Sequence, residues 1–386
     1  MSLFLDKNCY FKDFELSLKD RLLNMSWSFF LLIALVVMVG IMLLYSVAGG
    51  NLEPWAERQV FRFLLGCLVF FLIALSDLRL WMKYAYLLYA IALAMLLAVD
   101  IFGHDAMGAQ RWLNLGFMRI QPSELMKITL VLALARYFHA SSDEDVEKTS
   151  HLIFPLILLG LPVALILVQP DLGTAMMLVF VSVAMFWIVG VQWWKFAVVG
   201  VGALLSIPVV WHFLHDYQKD RVLTFLNPER DPLGVGYHIM QSKITLGSGG
   251  VFGKGFLQGT QSHLNFIPEK HTDFIFTVLS EEFGLVGSGF LLLLYMTIIF
   301  YGIRMSLKSC NFFGKLLGLG LTVNFSLYVF INIAMVMGLM PVVGIPLPLV
   351  SYGGSAMLVL MAGFGLIECV HVNEEMEIGR LGVEKE

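Results

Sequence analysis

The residues best suited to chemistry gather in five short strings, each bordering an apolar run. They are GAQRWLNLG (108–116), QPSELMK (121–127), QPDLGTA (169–175), LNFIPEKHTDFIF (264–276) and GIPLPLVSYGG (344–354). Asp273 sits beside Lys270, His271 and Thr272, immediately ahead of an apolar helix. A carboxylate at a water–lipid boundary is suited to general-base work on a poor nucleophile such as a hydroxyl. The plain alternative is an N-cap, because Asp satisfies the open N–H groups of a helix start. Glu281 and Glu282 follow in the same helix, ~12 Å inward at ~1.5 Å per residue. Carboxylates at that depth are expensive unless paired, so they read either as functional or as interhelical hydrogen-bonding groups.

The cations are candidates for holding an anion. Glu124 and Lys127 are spaced i, i+3 on one helix face, behind Pro122, a residue suited to a first helical turn. They form a local ion pair, or Lys127 holds a phosphate at the membrane surface. Arg111 and Arg221 are further cations; each alone is more often a residue snorkelling towards lipid headgroups. Asp171 opens a helix and reads as a cap or as a site member. The glycine cluster GSGGVFGKG (247–255) permits either plain turns or close backbone approach.

The elements that must position these residues follow from composition. Of 386 residues, 58% are apolar and only 14% charged, and mean hydropathy is +0.80. A soluble domain is typically ~45–50% apolar and ~25% charged, so a soluble enzyme and a disordered chain are excluded. A net charge of −4 gives no basic field for nucleic acid. The expected fold is an all-α polytopic membrane protein. Ten runs approach the ~20 residues a bilayer demands: 27–47, 60–76, 81–101, 124–140, 152–168, 172–191, 194–214, 274–303, 313–338 and 347–370. One long extracytoplasmic loop, 215–273, joins helices 7 and 8. Residues 1–26 and 371–386 are expected as cytoplasmic tails around a membrane domain at 27–370, because an N-in, C-in arrangement places most short-loop Lys and Arg inside. All five polar strings then face outward.

In this order, over roughly 27–370, the strings resemble the SEDS family (shape, elongation, division and sporulation). The marks are GAQRWL, QPSELMK, QPDLGTA, a long loop ending in IPEKHTDFIF, and GIPLPLVSYGGS. PVVGIPLPLVSYGGSA (341–356) and PEKHTDF resemble the elongation branch more than the division branch. The resemblance implies a peptidoglycan glycosyltransferase that polymerises lipid II on the outer face of the cytoplasmic membrane. The acceptor's 4-hydroxyl would attack the donor's anomeric carbon, and undecaprenyl diphosphate would leave. The family's essential Asp of HTDF falls on Asp273, the Glu and Lys of QPSExxK on Glu124 and Lys127, and the Arg of GAxRW on Arg111. Asp171, Arg221, Lys270, His271, Thr272, Ser351 and Tyr352 are expected to help bind substrate, with capping of the last helix as the alternative for Ser351. A divalent cation, Mg or Mn, is implied as sharing the diphosphate charge. The implied partners are lipid II, a class B penicillin-binding protein supplying transpeptidation, and other membrane proteins of the elongation machinery. A lipid II flippase and a non-catalytic scaffold are the competing classes. A flippase needs polar groups along the whole crossing path and paired broken helices in matching halves; a scaffold leaves the outward strings unexplained.

Overall fold

Inside lipid a backbone must satisfy its own polar groups, so long apolar runs fold as helices. The computed structural model describes residues 17–102, 104–106, 109–114, 119–213, 219–220, 223–225, 227, 234–263, 270–376 and 378–379. Among these residues ten long helices match the ten expected runs in order. They are α1 (Trp27–Val47), α2 (Ala56–Ala74), α3 (Leu78–Phe102), α4 (Pro122–Ala140), α5 (Ile153–Val168), α6 (Leu172–Val189), α7 (Trp193–Phe213), α8 (Ile275–Lys308), α9 (Phe312–Val336) and α10 (Gly354–Val372). Seven of them, all but α2, α4 and α7, are long and apolar enough by length and composition to cross a membrane. Helices α2 and α4 fall short because they carry Glu57, Arg58 and Arg62, and Glu124, Lys127 and Arg136. Of these charges, Glu124 and Lys127 are buried.

The core centres on α9, which buries most of its length and touches α4, α6, α8 and α10. Helix α10 packs along α2, and α3 along α4. Because the helices alternate in direction, the loops sort onto two ends. At one end Arg21 donates to Leu75 O (2.7 Å), Phe313 N to His139 Nδ1 (3.1 Å), and Lys195 to Glu147 O (2.7 Å). At the other end lie the described parts of the 48–55, 103–121, 169–171, 214–274 and 337–353 connections, with Gln121, Asp171, Asp273 and the 344–353 stretch among them.

Three features depart from the sequence reading. The 103–121 connection carries a small antiparallel sheet, with strands β1 (His104–Ala106), β2 (Ala109–Asn114) and β3 (Arg119–Ile120) in the order β1-β2-β3. The last helix starts at Gly354 rather than 347, because the Pro-rich 344–350 stretch stays irregular. Finally, the run expected as one continuous span at 274–303 is broken: α8 loses helical geometry at Gly284 (φ 65°, ψ −156°). The glycine cluster enters that break. Lys254 N and Gly255 N donate to Glu281 O and Glu282 O (2.9 and 3.0 Å), while Leu285 N and Val286 N donate to Gly250 O and Val251 O (3.0 and 3.1 Å). These bonds replace the helical bonds lost at the break, so the irregular backbone is satisfied by protein. A methyl group on Gly253 would lie 2.1 Å from Glu282 O; only glycine lets the two backbones meet.

Candidate active site

Asp273 lies immediately before α8, partly exposed. The residue at the N-cap position of α8 is Phe274, one residue after Asp273. Its seat is made by two backbones. Asn332 of α9 donates from its Nδ2 to Asp273 O (2.8 Å) and to Ile345 O (2.7 Å). Gly344, at φ +75°, presents its bare Cα to the carboxylate, and a methyl group there would lie 3.5 Å from Asp273 Oδ2. The irregular 344–354 loop therefore lines the site, as the sequence predicts from Gly344, Pro346 and Pro348.

The rest of the HTD segment is stapled to that loop. Ser351 Oγ donates to Thr272 O (2.6 Å) and accepts from Leu347 N (2.8 Å). Tyr352 N donates to His271 O (2.9 Å). Ser351 thus neither faces the cleft nor caps α10, whose capping residue is Gly353; it is a buried loop staple. Helix α2 supports the loop from behind. Gln59 donates to Ser351 O (3.1 Å), and Arg62 donates to the Tyr352 hydroxyl (3.0 Å) while its guanidinium lies 4.3 Å from the Tyr352 ring centre. The His271 ring stacks on Trp55, centroids 4.8 Å apart. Lys270 is buried, and burial pushes its ammonium pKa below the usual lysine value, because the charged form loses water.

Glu124 and Lys127 meet at 2.7 Å on the first turns of α4, with Lys127 only 2% exposed. The Tyr328 hydroxyl of α9 closes a triangle: it receives a bond from Lys127 and donates one to Glu124 Oε2. The ammonium also lies 4.2 Å from the Tyr328 ring centre. The structure thus places this pair in a buried, closed network rather than at the membrane surface. Asp171 caps α6, accepting from Thr174 N (3.2 Å) and Thr174 Oγ1 (3.0 Å), and the next turn brings Gly173 against Val343 of the site loop. Arg111 lies in β2 at the same end, and Arg221 lies outside the described residues. Glu281, fully buried, accepts from Lys254 Nζ (2.7 Å) and Gln261 N (2.8 Å), whereas Glu282 bonds Ser46 of α1. Among the described residues no three His, Cys, Asp or Glu side chains converge to hold a metal ion.

Tyr328, Asn332, Gln59, Arg62 and Trp55 escape the sequence reading. The first two carry a signal nonetheless: polar groups at i, i+4 within an apolar span are costly unless they have partners.

The chain is similar to known proteins. The cell cycle protein family of FtsW, RodA and SpoVE matches residues 20–376. The peptidoglycan glycosyltransferase MrdB of Escherichia coli (strain K12) is 44% identical over 347 residues, covering 90% of this chain and 93% of that one. The MrdB of Helicobacter pylori is 36% identical over 318 residues, 81% of each chain. Among solved structures, a chain from a peptidoglycan synthase complex that coordinates polymerization and crosslinking superposes with a TM-score of 0.79 at 33% identity, over 91% of this chain and 98% of that one. The rod shape determining protein RodA of Thermus thermophilus superposes with a TM-score of 0.69 at 28% identity, over 92% and 98%.

Proposed function

The chain belongs to the FtsW, RodA and SpoVE family of cell cycle proteins, and from that premise we propose that it is a multi-pass membrane peptidoglycan glycosyltransferase that polymerises lipid II for cell elongation. The observation that carries this reading is the partly exposed Asp273 carboxylate, held between the start of α8 and the irregular loop at Gly344. That end faces outward, and both tails face the cytoplasm.

Asp273 takes the proton from the acceptor sugar's 4-hydroxyl as that oxygen attacks the donor's anomeric carbon. The bond from that carbon to the diphosphate breaks, undecaprenyl diphosphate leaves, and the configuration inverts in a single displacement. A positioned carboxylate typically contributes ~10²–10⁴-fold to such a step. Lys270 and Arg111 supply positive charge on the same side for the developing diphosphate. A Mg or Mn ion would arrive on the diphosphate itself, since magnesium is commonly held through substrate phosphates and few protein carboxylates; the described residues build no cage for it. The partner is a class B penicillin-binding protein, in keeping with the synthase complex among the structural relatives.

The test is polymerisation of labelled lipid II by the purified chain in liposomes with its cognate transpeptidase. Wild type is expected to make glycan strands and Asp273→Asn none, with the variant's thermal unfolding unchanged. Strands from Asp273→Asn at the wild-type rate would overturn the assignment. Movement of lipid II between leaflets without strand synthesis would favour a flippase.

A further inference from the structure

We propose that α9 sets Asp273 and the buried Lys127 in fixed relation, with Asn332 and Tyr328 as positioning residues one turn apart on the same helix face. This deepens the glycosyltransferase reading and rests on it. Asn332 is fully buried, and its single Nδ2 holds both walls of the Asp273 seat: the carbonyl of Asp273 itself and that of Ile345, next to Gly344. Four residues earlier, Tyr328 holds both members of the Lys127–Glu124 pair. Residues four apart lie on one face, ~6 Å along the axis at ~1.5 Å per residue. Tyr328 also lines a small cavity together with Pro346, Pro348 and Ser351 of the loop. The Asn332 amide bonds the loop to α9 at Ile345 O.

Two consequences follow. The HTD segment and the site loop arrive from parts of the chain some seventy residues apart; Ser351 and Tyr352 staple them to each other, and the Asn332 amide ties both to α9. A rotation or axial slip of α9 would also move the carboxylate and the Lys127 pair together. Misplacement of a reacting group by ~1 Å can cost about 10²-fold in rate, whereas substrate affinity, spread over many contacts, changes little.

The test is lipid II polymerisation in liposomes, with the cognate transpeptidase present, by Asn332→Leu, Tyr328→Phe and the double variant. Hydrogen exchange of segments 270–276 and 343–352 is followed alongside. Asn332→Leu is expected to lower kcat by about 10- to 100-fold with KM within about twofold of wild type, and to speed exchange in both segments. Tyr328→Phe is expected to lower kcat with KM preserved, and the double variant to lose less than the product of the two single losses, as coupled sites do. Wild-type kcat in Asn332→Leu, a loss confined to KM, or a double loss equal to the product would each overturn the proposal. If Asn332→Leu does not fold, Asn332→Gln keeps the donor but moves it out by one methylene; full turnover there overturns it equally. Wild-type chain that makes no strands under these conditions fails the functional reading instead. In that case the exchange arm still decides the positioning claim: unchanged exchange in both segments refutes it.

Discussion

Lys127 and Glu124 can stay buried only as a pair, since removing one partner leaves an uncompensated charge out of water. Lys127→Ala is therefore expected to destabilise the protein by about 3–5 kcal/mol. The Lys127→Ala, Glu124→Ala double variant should lose less than the sum of the single effects. Thermal unfolding in detergent reads both, and strict additivity would mean the two residues act separately. Lys270 gives a pH prediction. Its folded pKa is lowered by burial, so its charge is complete at low pH and is lost, as pH rises, earlier than that of an exposed lysine. If that charge helps hold diphosphate, KM for lipid II rises on the alkaline side. Lys270→Arg, which stays protonated, should keep KM flat there; parallel curves for the two proteins would remove Lys270 from substrate binding. Asp273, Lys127 and Lys270 stand out as candidates in the sequence because a charge beside an apolar run is conspicuous. Ser351 was misassigned because a serine's role depends on which carbonyl lies opposite, here that of Thr272.

At the scale of elements, the break in α8 and the glycine loop that fills it act as one unit. Gly253→Ala forces a methyl group to 2.1 Å from Glu282 O, whereas a methyl at Gly247 meets nothing within 4 Å. Gly253→Ala is accordingly expected to lower the unfolding temperature markedly and to weaken the Lys254–Glu281 pair. Gly247→Ala should be neutral or slightly stabilising, because alanine favours the helix in which Gly247 lies. Equal melting temperatures for the two variants would show that the backbone pairing is not tight. The number and order of helices were legible because span length is imposed by the bilayer. The break was not: Gly284 sits in an apolar run, and its left-handed geometry is required only because another backbone occupies the gap.

For the whole molecule, the bias of Lys and Arg in the short loops predicts that the Asp273 end faces outward. Single cysteines at Gln258 and Glu144, both at exposed positions, test this in a chain whose native cysteines are replaced by serine. Gln258→Cys is expected to react with an impermeant thiol reagent in spheroplasts, and Glu144→Cys only after lysis; the reverse pattern would put Asp273 in the cytoplasm. The amino-acid sequence alone determined the membrane class and the ten helices, and it singled out Asp273 and the polar strings as candidates. These are local properties: a backbone in lipid must bond to itself, and alternate loops must share a side. Only the tertiary structure decided that Asn332 holds Asp273 and Ile345, that Tyr328 closes the Lys127–Glu124 triangle, and that the glycine loop fills the break in α8. Each of those contacts joins distant segments. Which donor meets which acceptor there depends on how the helices rotate and pack against one another, and hydropathy along the chain carries no record of that.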